Sequence, residues 1–156
     1  AVGDYPVEAV RMMDRIILDA ESHAVLEHQD EAALDDDAEA TARAARSLAS
    51  DRNVAAVAVF TRSGRTAQLM AKVRPPVPIL AFTPEPSTLN RLNLCWGVEP
   101  HLVPLVGSVE GMIEEVEQAI RARGRGEPGQ QIIIVASLPV GASGPTNFTH
   151  LYTLRA

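Results

Sequence analysis

The chain has 156 residues, of which 46% are apolar and 22% charged, with a formal net charge of −6. That length and balance suit one globular domain with a real core, or a domain plus an appendage. The acidic excess argues against nucleic acid as a partner, the few aromatics offer no base-stacking platform, and no apolar run approaches the roughly 18 residues of a membrane span.

Ala1 to Tyr5 reads as a lead-in, and Pro6, after Asp4, is suited to the first position of a helix. Val7, Val10, Met13, Ile17 and Ala20 then share one stripe, with Glu8, Arg11, Arg15 and Asp19 elsewhere, so a helix with an apolar face to cover is expected. No charged-then-apolar leader opens the sequence, and secretion is not expected. The acidic stretch from Glu21 to Asp37 reads as a solvated connection. Its histidines, His23 and His28, fall on different faces of any helix and have no cysteine nearby, so no metal site is expected.

Asp36 or Asp37 should cap an alanine-rich helix from Ala38 to Ser50. Val54 to Phe60 is seven apolar residues in a row, a strand buried on both faces as in a parallel sheet. The polar loop Thr61-Arg62-Ser63-Gly64-Arg65-Thr66 follows, and a helix begins at about Ala67. The first N–H groups of a helix lack internal partners and carry partial positive charge. Hydroxyls on Thr61, Ser63 and Thr66, charges on Arg62 and Arg65, and a close backbone approach at Gly64 would complete an anion cradle. The same residues would also serve a plain strand-to-helix turn in which Ser and Thr only cap the helix. The spacing is not that of a nucleotide P-loop.

Arg74-Pro75-Pro76 should end that helix. Val77 to Phe82 reads as a second buried strand, Thr83 or Ser87 as the cap of a helix through Leu94, and Val98 to Leu105 as a short strand interrupted by Pro100 and Pro104. Cys95 is the single cysteine and can form no internal disulfide, which fits a reducing, cytoplasmic setting. Ser108 should cap a helix with Met112, Ile113, Val116 and Ile120 inward, ended by Gly124. Gln131 to Ala136 is a fourth buried strand, and Pro139 to Asn147 a second glycine-rich loop. Phe148 to Leu154 alternates like a half-exposed strand at a sheet edge. The fold expected is three-layer α/β: a mostly parallel five-stranded sheet, helices on both faces and a C-terminal edge strand. Both glycine-rich loops leave the carboxyl ends of their strands, where such sheets bind ligands.

Four segments resemble one family. Gly3-Asp-Tyr-Pro-Val-Glu-Ala-Val-Arg-Met-Met13 is similar to the start of the last barrel helix of pyruvate kinase. Val59 to Thr66, Arg74-Pro75 with Pro78 to Thr83, and Trp96-Gly-Val-Glu-Pro100 resemble that enzyme's C-terminal domain. The resemblance runs the length of the chain. It implies the final helix of a catalytic barrel over residues 1–24 and an α/β regulatory domain over 25–156. It also implies a sugar-phosphate or nucleotide effector whose phosphate sits on the loop of Thr61, Arg62, Ser63, Gly64, Arg65 and Thr66. The second loop, with Gly141, Ser143, Gly144 and Thr146, would close over that effector. Leu138-Pro139 departs from the tryptophan and arginine of some sugar-bisphosphate-responsive relatives, so the effector's identity stays open. No catalytic residue and no cofactor is expected in this chain, because magnesium and potassium belong to the barrel in the intact enzyme. Implied partners are the rest of a pyruvate kinase and further copies of the chain, with no nucleic acid or membrane. The alternative is a free-standing phospho-ligand-binding or oligomerising module without an attached kinase.

Overall fold

A computed structural model describes residues 3–23, 36–51, 53–122, 124, 126–140 and 144–155. The chain divides into two units, residues 1–33 and 34–156. The first contains α1 (Pro6–His23). Pro6 opens it as expected, and the apolar stripe lies bare: Val7, Val10, Met13 and Ile17 are all more than half exposed. Most of the acidic stretch expected as a connection lies outside the described residues.

The second unit is a five-stranded sheet in the order β3-β2-β1-β4-β5. Its strands are β1 (Val54–Phe60), β2 (Ile79–Thr83), β3 (Val98–Leu102), β4 (Gln131–Ala136) and β5 (Phe148–Thr153). The first four are parallel; β5 runs antiparallel to β4, with Ile133 opposite Leu151. Around them lie α2 (Asp37–Asp51), α3 (Arg65–Val73), α4 (Pro86–Leu92) and α5 (Val109–Ala122).

Two-residue periodicity along the central strands sorts their side chains into two cores. Val57, Val59, Ile79, Ala81, Ile133 and Val135 face α2, α3 and the end of α4, packing with Ala42, Ala45, Met70 and Leu92. Ala56, Ala58, Leu80, Phe82, Ile132 and Ile134 face α5, against Met112, Val116 and Ile120. Ala38, Ala42, Ala45 and Ala49 form the buried stripe of α2, whose small side chains let the helix lie close to the sheet. Helices therefore cover both faces, and the edge strand at the C-terminal end is β5.

Local signals mostly hold. Asp36 caps α2, its Oδ1 accepting the Ala38 N–H at 2.9 Å. Ser108 Oγ accepts the Gly111 N–H at 3.1 Å at the start of α5. Arg74 ends α3 in the left-handed region (φ 46°), just before the proline pair.

Three expectations need correcting. Neither Thr83 nor Ser87 caps α4: Glu85 occupies that position, and Pro86, whose fixed φ suits a first helical residue, sets the start. Thr83 closes the preceding turn instead, accepting the Glu85 N–H at 3.3 Å. The helix also stops at Leu92, not Leu94, where Asn93 Nδ2 donates to the Leu89 carbonyl at 3.1 Å. Strand β3 is shorter than expected and is not interrupted by Pro100, which pairs with Ala81 inside it. Only an edge strand has a side where a missing N–H is harmless, and β3 is one.

Candidate functional site

From β1 the sheet grows one way through β2 to β3, and then resumes on the other side of β1 with β4. That reversal is the switch point at which open α/β sheets leave a crevice beyond the strand ends. The loops after β1 and β4 flank it, and they are the two glycine-rich segments marked in the sequence.

The first loop is built by local chemistry. The Thr61 N–H still bonds to the Phe82 carbonyl at 3.0 Å, extending the ladder by one residue. The chain then turns back: the Gly64 N–H donates to Thr61 Oγ1 at 3.0 Å and the Arg65 N–H to Ser63 Oγ at 3.4 Å. Gly64 stands at the N-cap of α3 with φ 84°, and no side chain caps the helix. A Cβ at Gly64 would lie 3.2 Å from Thr88 Cγ2 and 3.4 Å from Leu92 Cδ2, so the loop rests directly on α4. Two α4 side chains hold its carbonyls. Thr88 Oγ1 donates to the Arg62 carbonyl at 2.8 Å, and an Arg91 guanidinium nitrogen donates to the Ser63 carbonyl at 2.9 Å. With these carbonyls and the Arg65 N–H engaged, the Thr66 and Ala67 N–H groups are the ones left without a partner within the helix.

The second loop is fastened at its neck and to the first. Leu138 N–H donates to Asn147 Oδ1 at 2.7 Å, and Asn147 Nδ2 donates back to the Leu138 carbonyl at 3.0 Å. Ser137 Oγ donates to the Gly144 carbonyl at 3.2 Å. The hydroxyls of Thr66 and Thr146 are buried and lie 2.6 Å apart, while Thr41 Oγ1 donates to the Thr146 carbonyl at 3.2 Å. Thr66 and Thr146 thus join α3, the second loop and α2. Gly144 lines the crevice; Gly141 and Ser143 lie outside the described residues.

Between the loops lies a cavity of about 550 Å³. Its polar wall is formed by Thr61, Arg62, Ser63, Arg65 and Thr66, with Ser137, Gly144 and Thr146 across from them. Phe60 and Phe82 floor it, their rings stacked with centroids 4.8 Å apart. The remaining wall, including Val103, Leu105, Val106, Met112 and Val140, is apolar. Among the described residues that line it there are two arginines and no carboxylate. The arrangement can take a small anion with an attached body that tolerates apolar surroundings. The sequence reading did not find this apolar wall, which comes from the β3–α5 connection and α5. Nor did it foresee that Arg65 pairs with Asp36, 29 residues earlier.

Behind the floor, His101 of β3 stacks on Phe82 with ring centroids 5.0 Å apart. Its Nε2 is buried with no hydrogen-bond partner among the described residues, and burial lowers its pKa below the usual 6.5. On the other edge, Tyr152 of β5 donates to Glu117 of α5 at 2.5 Å. That hydrogen bond, and then burial, raise the Tyr152 pKa above 10. Among the described residues no cluster of three or more His, Cys, Asp or Glu could hold a metal ion, and no helix is long and apolar enough to cross a membrane.

Residues 39–152 match the model of the family described as "Pyruvate kinase, alpha/beta domain". A pyruvate kinase of Mycobacterium intracellulare is 34% identical over 158 residues, which cover 99% of this chain and 33% of that protein. One from Agrobacterium vitis is 36% identical over 94% of this chain and 32% of its own length. One from Geobacillus stearothermophilus is 34% identical over 99% of this chain and 27% of its own. The chain therefore spans about a third or less of these relatives. By the extent of these matches, and with the sheet and crevice just described, it belongs to the pyruvate kinase family as that family's alpha/beta domain.

Proposed function

We propose that this chain is the C-terminal regulatory and assembly domain of a pyruvate kinase, and that its crevice binds the phosphate of a small metabolite. In the whole enzyme the reaction would be phosphoryl transfer from phosphoenolpyruvate to ADP in the cytoplasm, with magnesium and potassium held by a barrel that this chain does not contain. The observation that carries the reading is the convergence of the loops after β1 and β4 on one cavity, with Arg62, Arg65 and the start of α3 on its polar wall. Hydroxyls, a helix N-terminus and guanidinium groups are what a phosphate recruits. The apolar remainder of the lining favours a ligand with a single phosphate, a sugar phosphate or a nucleotide, since charge is supplied at one end only.

The bare stripe of α1 supports its assignment to the last helix of the absent barrel, which would cover Val7, Val10, Met13 and Ile17. The outer edge of β5 is where a second copy would add, pairing strand to strand across a two-fold axis.

Calorimetry of the native chain against Ser63→Ala/Thr66→Ala, with sugar phosphates and nucleoside monophosphates, tests the site. The native chain should bind at least one of them and the variant should bind it at least tenfold more weakly; equal binding by both would place the site elsewhere. Incubated with phosphoenolpyruvate, ADP, magnesium and potassium, the chain alone should release no pyruvate, because it carries none of the barrel's catalytic groups.

A further inference from the structure

Arg65 is one of two cations on the wall of the crevice, and it is already engaged. Its guanidinium pairs with Asp36 Oδ2, while the other oxygen of that carboxylate, Oδ1, accepts the Ala38 N–H at the start of α2. The Asp36 side chain is about one-third exposed and the Arg65 side chain two-thirds exposed, at 34% and 66%. A pair so wet is weak and exchanges readily. The carboxylate is not itself part of the cavity wall, whereas Ala38, in the first turn of the helix that Asp36 caps, is. Asp36 thus lies beside the cavity wall, holding by charge one of the two guanidinium side chains that line it.

We propose that Asp36 is a built-in competitor for the ligand phosphate: its carboxylate occupies Arg65 in the empty site and yields that guanidinium to phosphate when a ligand binds. This rests on the anion-site reading above and adds an affinity-setting residue to it. The tethered carboxylate sets a threshold that every incoming anion must exceed. A dianionic phosphate outcompetes it for a guanidinium, while a monoanionic carboxylate ligand gains little over the contact already present. Asp36 also keeps the site from filling with any anion at hand, because each must displace a charge fixed beside Arg65.

Asp36→Asn separates this role from the capping role, since asparagine caps helices as well as aspartate does but offers Arg65 no charge. Phenyl phosphate, a single phosphate on a planar apolar body, serves as the probe, with inorganic phosphate and benzoate beside it, all measured by calorimetry on the full chain at low salt. Asp36→Asn should bind phenyl phosphate about two- to fivefold more tightly than the native chain, the span expected for removing an exposed competing ion pair. Benzoate should gain by about the same factor, because it must displace the same carboxylate from Arg65. In an Arg65→Gln background the same substitution should leave phenyl phosphate affinity unchanged. If Asp36→Asn fails to fold, Asp36→Ser, another uncharged cap, replaces it. Unchanged or weaker binding by a folded Asp36 variant, while the native chain binds and Arg65→Gln weakens binding, overturns the competitor role and leaves the anion site standing. Absence of binding by the native chain and every variant overturns both.

Discussion

Gly64 is the position where the loop's geometry is most exacting, and its replacement by alanine gives a measurable forecast. Its φ of 84° lies in the left-handed region, where an L-residue costs about 1–2 kcal/mol. The new methyl would also meet Thr88 Cγ2 at 3.2 Å and Leu92 Cδ2 at 3.4 Å. Neither neighbour moves freely: Thr88 is tied through its hydroxyl to the Arg62 carbonyl, and Leu92 is fully buried. Easing that contact by a few tenths of an ångström adds a fraction of a kilocalorie, so Gly64→Ala should cost about 1.5–3 kcal/mol in all. The usual entropic benefit of replacing glycine does not offset this, because alanine cannot adopt the native angle without strain. For a chain of this size that is a fall in Tm of about 4–12 °C. Urea unfolding should show a lower midpoint with an unchanged slope. Gly144→Ala is the control, since its Cβ would meet nothing within 4 Å and its φ is not in the left-handed region. It should melt within about 2 °C of the native chain. A Gly64→Ala protein that melts with the control would refute the account of how this turn is held.

Tyr152→Phe should cost about 1–2 kcal/mol by removing the hydrogen bond to Glu117, whose other oxygen keeps its 2.8 Å contact with Arg121. Because the folded pKa of Tyr152 is raised, its contribution is complete below the unfolded value of about 10 and is lost as pH rises through the folded value. The stability gap between native and variant should therefore be constant from pH 7 to 9 and shrink above pH 10. His101 works in the opposite sense. Burial lowers its folded pKa, so the unfolded chain takes up a proton first, and this contribution is complete above about pH 6.5 and lost as pH falls below it. His101→Phe, which keeps the stack on Phe82, should flatten the stability profile between pH 7 and 5; an unchanged slope would mean that other groups set it.

The sheet was legible because its signals are local. Short apolar runs at Val54–Phe60 and Val77–Phe82, each followed by a helical period, and a third at Gln131–Ala136 leave few alternatives to a mostly parallel sheet. The final alternating segment marked a half-exposed edge strand, while its antiparallel direction comes from the pairing with β4. Boundaries failed where a nearby residue overruled the pattern: Pro86 took the start of α4 from Thr83 and Ser87, and the edge position of β3 let Pro100 stand inside a strand. Of the crevice, the glycine loops were visible because hydroxyls, arginines and glycine fall together in six residues. Its apolar half was not, because Val103, Leu105, Val106 and Met112 carry no chemistry that separates a cavity wall from ordinary core. Asp36 was visible only as a helix cap, since a contact across 29 residues leaves no trace in local spacing.

The strand order also explains why this crevice needs two loops and not one. A helix N-terminus contributes about 0.3–1 kcal/mol to holding an anion, whereas micromolar affinity requires about 8 kcal/mol. Hydrogen bonds to a charged group contribute about 1.5–3 kcal/mol each, so three or more must converge, together with burial of the ligand's body. The loop after β1 supplies the charged side. By itself it would be an exposed turn in which two hydroxyls are already spent on Gly64 and Arg65. Placing β4 beside β1 brings the second loop over it, and the Thr66–Thr146 contact ties the two at the base of the crevice. Placing β2 on the other side brings Phe82 to the lining and α4 against the loop, where Thr88 and Arg91 hold the carbonyls of Arg62 and Ser63. Each neighbour of β1 thus contributes a wall or a tether to the cavity that the loop after β1 would lack by itself.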